Sequence, residues 1–252
     1  MPASECQTLT WTHFVDAAGL PGARNMAIDH ALLEASDRSG AAFLRLYRWT
    51  PPCLSFGRNE PALTRYDRAA IERLGLDVVR RPTGGRAVWH EHEVTYAVAG
   101  PVAWFGSLRQ SYRAIHERLA VALRSLGVPA TLAPDTRHLT PAGPCFAEPV
   151  GGEIVVAGRK LVGSAQVRHG SAFLQHGSIL LDGSQDVIGA ISRQPSAIRS
   201  TTLREVLGRS VTFQEVADAV VHSWDPAATG TALFRPRSSS SVDFGSAWTW
   251  RR

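Results

Sequence analysis

The chain has 252 residues, 44% hydrophobic and 19% charged, a composition that excludes disordered and fibrous classes and supplies enough apolar side chains for a sizeable core. Its formal charge of +5 is scattered, with no basic run longer than two residues, which argues against nucleic acid and fits an acidic protein partner. No stretch approaches the ~18 apolar residues that span a bilayer, and MPASECQTLT has neither the basic nor the apolar region of a secretory leader, so a cytoplasmic protein with no membrane partner is expected.

In chain order, Ile28, Ala31, Leu32 and Ala35 recur at i, i+3, i+4 and i+7, which predicts a helix from Gly22 to Ser36 with Asn25 and Asp29 one turn apart on another face. Strands are expected from Phe43 to Trp49 and Cys53 to Gly57, parted by Pro51-Pro52, then a helix from Tyr66 to Leu74 closing at Gly75. Leu76 to Arg81 reads as a strand running into the loop Pro82-Thr83-Gly84-Gly85, with strands following at Arg86 to His90 and Val94 to Val98. Leu108, Tyr112, Ile115, Leu119, Leu123 and Leu126 mark a long helix ended by Gly127 and Pro129. Thr131 to Pro149, rich in proline, has no period and is expected to be a long loop of the kind that carries function. Glu153 to Ala157, Lys160 to Arg168 and Ser171 to Leu181 predict an antiparallel meander, and helices are expected at Ser184 to Ile191 and Phe213 to Trp224. One domain over residues 1–224 is expected, with 225–252 a loosely ordered tail.

All but one of the 27 basic residues are arginine; the exception is Lys160. A compact ammonium can approach a reacting centre, or lose its proton, in ways a planar guanidinium cannot. Cys6, Cys53 and Cys145 are sparse and contain no CxxC, so neither a disulfide framework nor a zinc cluster is expected. Cys145 lies in the Pro-rich loop, whereas Cys53 in PPCLSF reads as buried. Were the Lys160 ammonium to approach Cys145, lowering a thiol pKa of ~8.5 by about 1.5 units would raise the thiolate fraction at neutral pH from roughly 3% to about half.

Arg80-Arg81-Pro82-Thr83-Gly84-Gly85-Arg86 joins a strand to a Gly-Gly turn, where backbone N–H groups and guanidinium groups could cradle an anionic or carbonyl group; an ordinary hairpin has the same signature. His90 and His92 flank Glu91, but no third ligand accompanies them and no metal is expected; His90 is read as a pocket-lining or core histidine. Period two over the middle strand of the meander puts Lys160, Val162, Ser164, Gln166 and Arg168 on one face, and Leu161, Gly163, Ala165 and Val167 on the other.

Four blocks, GARNMAIDHALLE, LRLYRWTPPCLSFGRNE, RRPTGGRAVWHEHEVTYAV and CFAEPVGGEIVVAGRKLVGSAQVRHGSAFLQHGSILL, resemble in content and order the lipoate-protein ligase, biotin ligase and octanoyltransferase superfamily. The likeness covers about residues 20 to 215. It is strongest to the cysteine-dependent octanoyl-carrier-protein:protein N-octanoyltransferases, which set a cysteine in a CFxxP segment before the GRKxxGSAQ strand. The resemblance implies an α/β (α+β) fold with a mixed sheet around an acyl-binding tunnel flanked by helices. It further implies acyl transfer in lipoate biosynthesis: Cys145 takes the octanoyl (or lipoyl) group from acyl carrier protein as a thioester, and a lysine of a lipoyl domain, of a 2-oxoacid dehydrogenase subunit or a glycine cleavage H protein, then attacks it. Lys160 would lower the cysteine pKa and polarise the acyl carbonyl. Arg80, Arg81, Thr83, Gly84, Gly85, Arg86, His90, Gly163, Ser164, Ala165, Gln166, His176 and Gly177 would form the substrate pocket, without a cofactor. The chain departs from the pattern at Asp29-His30, where relatives commonly carry Asp-Glu, at Val150-Gly151-Gly152, and after Trp224. The alternatives are an ATP-dependent lipoate-protein ligase, which would need ATP and Mg, a lipoyl-domain amidotransferase, and a non-catalytic relative that binds acyl or lipoyl groups.

Overall fold

The computed structural model describes residues 11–134, 146, 151–194, 199–225 and 242–251. Two parallel strand pairs, each closed by helical crossovers, set the frame, as parallel pairing requires long connections. β1 (Trp11–Leu20) and β2 (Ala42–Trp49) are parallel and joined by α1 (Gly22–Ser39). β3 (Cys53–Phe56) and β4 (Asp77–Arg80) are parallel and joined by α2 (Ala62–Arg65) and α3 (Arg68–Arg73).

β5 (Val88–His90) pairs antiparallel with β3, completing a three-stranded sheet in the order β4-β3-β5. β6 (Glu93–Pro101) crosses to the main sheet, and α4 (Leu108–Ser125) follows, its first turn capped by the Ser107 hydroxyl, which accepts from the Gln110 N–H. β7 (Thr131–Leu132), β8 (Ile154–Val156) and β9 (Arg159–Lys160) make a second small sheet. β10 (Val162–His169) and β11 (Ala172–Leu180) then form a hairpin that completes the main sheet in the order β1-β2-β6-β11-β10. The remaining helices are α5 (Asp186–Ile191), α6 (Leu203–Leu207), α7 (Phe213–Trp224) and α8 (Ser246–Thr249). The result is a mixed α/β fold.

The main sheet is buried on both faces, and its alternating side chains divide the core in two. Leu44, Leu46, Tyr96, Val98 and Phe173 pack with Ile115, Leu119 and Leu123 of α4 and Val216 and Val220 of α7. Tyr47, Ala97, Ala99 and Leu174 pack with Met26, Ile28, Leu32 and Leu33 of α1. At roughly 25 cal/mol per Å² of apolar surface buried, these two clusters dominate the stabilisation of the fold.

Some readings of the sequence change. The expected meander is divided between two sheets: β8 and β9 pair with each other through a turn at Ala157 and Gly158, both at positive φ, while the middle run splits at Leu161, after which β10 pairs with β11. That break resets the alternation. Lys160 lies beside Gly163, and it is Ser164 and Gln166 that turn towards α4, where they meet His116 and Ser111. The helix expected from Tyr66 begins at Arg68, because Asp67 caps it by accepting from the N–H groups of Ala69 and Ala70, while Tyr66 stays extended and stacks on Phe56. Of the expected long loop, Thr131 and Leu132 pair with β8; residues 135–145 and 147–150 lie outside the described residues, Cys145 among them. Of residues 225–252, the described stretch 242–251 packs on the domain: Phe244 is buried in the α1 cluster, and Trp248 donates from its indole N–H to the Arg80 carbonyl.

Candidate active site

A narrow cavity lies where the main sheet faces the β4-β3-β5 sheet. Gly163, Ser164 and Ala165 of β10 bound one end, His176, Gly177 and Ser178 of β11 and Thr95 of β6 form the middle, and Tyr47 and Trp49 of β2 close the other end. Arg81, Val88 and His90 form the opposite wall. Gly177 and Gly163 are required by this packing. A Cβ at 177 would collide with the Gly163 carbonyl, and one at 163 would lie 2.8 Å from the Phe146 ring and 3.2 Å from Lys160 Cε.

Lys160 sits beside the β10 end of the cavity. Its ammonium is 2.7 Å from Glu153 Oε2, with both side chains 1% exposed, and 5.3 Å from the centre of the Phe146 ring. The other carboxylate oxygen of Glu153 accepts from the Ser164 N–H and the Tyr112 hydroxyl, each at 3.4 Å. The backbone of Lys160 is pinned as well, donating to the Arg199 carbonyl at 3.0 Å and accepting from the Thr201 N–H at 2.9 Å.

Beneath β10, Ser164 donates to Nε2 of His116 at 2.9 Å and accepts from Tyr96, while Nδ1–H of His116 donates to the Tyr112 carbonyl. Burial disfavours the cation of His116 and lowers its pKa to about 3, with the nearby Lys160 charge acting in the same direction. Burial likewise pushes the Tyr96 phenol up.

Two hydrogen-bonded relays stiffen the cavity walls. His176 donates from Nδ1 to Asp29 at 3.0 Å and accepts at Nε2 from Thr83 at 2.6 Å, and burial holds its pKa down despite the carboxylate. Asp29 is itself held by the Arg45 guanidinium at 2.9 Å and the Tyr47 hydroxyl at 2.8 Å. In the second relay, His90 bonds Glu93 through Nδ1 at 2.7 Å and Ser55 through Nε2 at 2.5 Å, and its ring stacks on Trp49 with centroids 4.1 Å apart. Ser178 and Thr95 also donate to Glu93, and the Trp49 indole donates to Thr95 at 2.7 Å.

Of the residues singled out in the sequence, Arg81, His90, Gly163, Ser164, Ala165, His176 and Gly177 line the cavity, and Thr83 reaches it through His176. Arg81 spends its guanidinium on β3 and its own loop, donating to the Ser55 hydroxyl and carbonyl and to the carbonyls of Gly84 and Arg86; Gly85 adopts positive φ there. Arg80 is not in the wall: it is 1% exposed and donates to the carbonyls of Gly57, Glu60 and Thr249. Gln166 donates to Ser111 and Gln175, away from the cavity. Cys53 is fully buried, and burial raises its thiol pKa well above the ordinary value, which fits an inert thiol. Glu153, Tyr112, His116 and Trp49 were not singled out. Glu153 was within reach of the sequence: once Val155 is paired with Lys160 across the β8–β9 hairpin, Glu153 lies two positions further along, on the same face.

The chain belongs to the lipoyl protein ligase A/B catalytic domain family, the match covering residues 21–225. Among curated relatives, Octanoyltransferase LipM of Symbiobacterium thermophilum is 39% identical over 224 residues, 81% of this chain and 82% of that protein. The protein of the same name from Kyrpidia tusciae is 41% identical over 221 residues, 79% of this chain and 81% of that one. That from Carboxydothermus hydrogenoformans is 44% identical over 163 residues, 63% of this chain and 60% of that protein. In fold, the chain is similar to lipoate-protein ligase A bound with ATP, with a TM-score of 0.68, 23% identity and 85% of each chain covered. It is also similar to a bi-partite lipoate protein ligase from Thermoplasma acidophilum, described with its E2 lipoyl domain, with a TM-score of 0.66, 19% identity, and 90% of this chain and 88% of that one covered.

Proposed function

We propose that the chain is an octanoyltransferase of lipoate biosynthesis that carries the acyl group on Cys145. The thiolate of Cys145 attacks the octanoyl thioester of acyl carrier protein, and the carrier thiol leaves with a proton. The amine of a lipoyl-domain lysine then attacks the enzyme thioester, forming the amide and releasing the Cys145 thiol. No nucleotide and no metal enter either step. Lys160 supplies positive charge where negative charge develops on sulfur and on the carbonyl oxygen.

The observation that carries this reading is the buried Lys160 ammonium beside the β10 end of the cavity, next to Gly163 and packed over Phe146, the residue that follows Cys145 in the chain. The span of the sheet along the cavity matches the length of an octanoyl group. From β10 to β2 there are three interstrand spacings, about 14 Å. An extended eight-carbon chain, at roughly 1.2 Å per bond, needs about 9 Å. At the β2 end, the polar atoms of Tyr47 and Trp49 are bonded to Asp29 and Thr95, leaving ring surface for an acyl tail. The relatives named as octanoyltransferases support the same chemistry.

The test is the intact mass of the protein after mixing with octanoyl acyl carrier protein. An octanoyl adduct that is absent in Cys145→Ala and chases onto a lipoyl domain is the expected result. An ATP-dependent acyl-adenylate without an adduct would make the chain a ligase, and neither product would make it a binder.

A further inference from the structure

We infer that Trp248 is a positioning residue for the transfer, acting from the C-terminal segment through the Arg80–Arg81 peptide to fix the cavity wall that carries Arg81. Its indole N–H donates to the Arg80 carbonyl at 2.9 Å. The N–H of that same peptide unit, belonging to Arg81, donates to the Phe56 carbonyl at 2.8 Å. A planar amide held at both of its polar atoms resists rotation, so the direction in which the Arg81 side chain leaves the strand, into the cavity, is set. Arg80 adds a second tie between the same parts: its buried guanidinium donates to the Thr249 carbonyl on one side and to the Gly57 and Glu60 carbonyls on the other.

The loop beyond depends on that peptide. Arg81 holds the Gly84 and Arg86 carbonyls, Thr83 bonds His176 in the middle of the cavity, and the Thr83 carbonyl accepts from the Arg58 N–H at 2.7 Å. Gly57 lies so close to the loop that a Cβ there would collide with the Gly85 carbonyl. Arg251 covers this turn from outside, donating to the Arg58 carbonyl at 2.9 Å and setting its guanidinium 3.4 Å from the centre of the Trp248 ring. The C-terminal segment therefore grips both strands of the turn that bears the wall. Without the indole N–H, the partly buried Arg80 carbonyl loses its donor, and the peptide it belongs to is free to tilt towards another.

The experiment reads amide hydrogen exchange over residues 81–86 and the steady-state kinetics of octanoyl transfer in full-length wild type, Trp248→Phe and Trp224→Phe. Trp248→Phe keeps an aromatic ring and deletes the donor, and Trp224→Phe makes the same change in the core between α4 and α7, away from the loop. In Trp248→Phe, exchange over 81–86 is expected to quicken at least about threefold, the effect of one lost hydrogen bond on local opening. KM for the octanoyl donor is expected to rise at least about threefold with kcat within about twofold, because the wall binds the acyl group without touching the reacting atoms. Trp224→Phe is expected to lower Tm and leave both readings at their wild-type values. Unchanged exchange in Trp248→Phe overturns the inference, as does an unchanged KM, and so do changes as large in Trp224→Phe. The kinetic arm rests on the octanoyl transfer proposed above: a wild type that transfers no octanoyl group fails that reading, and exchange then decides the clamp by itself.

Discussion

The geometric demand that ties Lys160 and Phe146 together is the missing side chain at position 163, and Gly163→Ala measures it. The new Cβ would lie 2.8 and 3.0 Å from two carbons of the Phe146 ring and 3.2 Å from Lys160 Cε. Ordinary carbon contacts are about 3.5–4.0 Å, so the ring must retreat by roughly 0.7–1 Å. It has nowhere easy to go: Phe146 is fully buried and Lys160 is held by Glu153. Overpacking of this kind costs about 1–3 kcal/mol. The backbone at Gly163 is not left-handed, so alanine regains about 0.4–1 kcal/mol by restricting the unfolded chain. A net loss of about 1–2 kcal/mol corresponds to a Tm lower by roughly 2–8 °C in a protein of this size. The kinetic loss is expected to be larger in proportion, on the order of a hundredfold in kcat, because a displacement near 1 Å of an attacking or charge-stabilising group has that effect. The assay pairs thermal denaturation with steady-state octanoyl transfer. Wild-type turnover together with an unshifted Tm would refute the argument that packing of Gly163 against Phe146 and Lys160 sets the site.

Two further outcomes follow from charge and burial. Lys160→Arg keeps the positive charge but replaces a point donor by a wider fork, in a place where Glu153, Phe146 and Gly163 leave no room for it; transfer is expected to fall at least about a hundredfold, and near-normal turnover would count against Lys160 as the group at the reacting carbonyl. His116 stays neutral in the fold down to about 3, whereas in the unfolded chain it protonates near its ordinary 6.5. Between those values the unfolded state binds the extra proton, so stability present above 6.5 is lost as pH falls, by about 1.4 kcal/mol per pH unit for this one group. Burial of His176 adds a contribution of the same sign. Replacing His116 by Gln, which cannot protonate, is expected to flatten the dependence of Tm on pH over this range; an unchanged slope would show that His116 is not the group responsible.

Much of the site could be read from the chain because local rules fix it. The helix stripe of Ile28, Ala31 and Leu32, the strands around Leu44 and Val98, and the glycines at 163 and 177 are dictated by period and by steric size, which need only neighbours in sequence. A lone lysine among arginines also marked the position where a point charge is required. β1 escaped notice because, as an edge strand pairing only with β2, it carries no clean alternation, its burial running irregularly along Trp11–Leu20. The Arg80-Arg81 pair looked equivalent in sequence, yet successive residues on an extended chain point to opposite sides, so only Arg81 lines the cavity.

What the sequence determined by itself was the set of chemical groups and most of the elements that bear them: one ammonium, the Gly-Gly loop, the strand of small residues and the two histidines. Tertiary structure alone decided how they combine. Leu161 breaks the strand and turns Lys160 towards Gly163, a change of phase that no period-two count detects. Glu153 became the partner of Lys160, and Asp29 that of His176 across 147 positions of chain, because buried charges and imidazoles must find partners wherever the fold brings them. Such pairings depend on the register between strands and the docking of helices, which are set by packing of the whole core rather than by any segment alone.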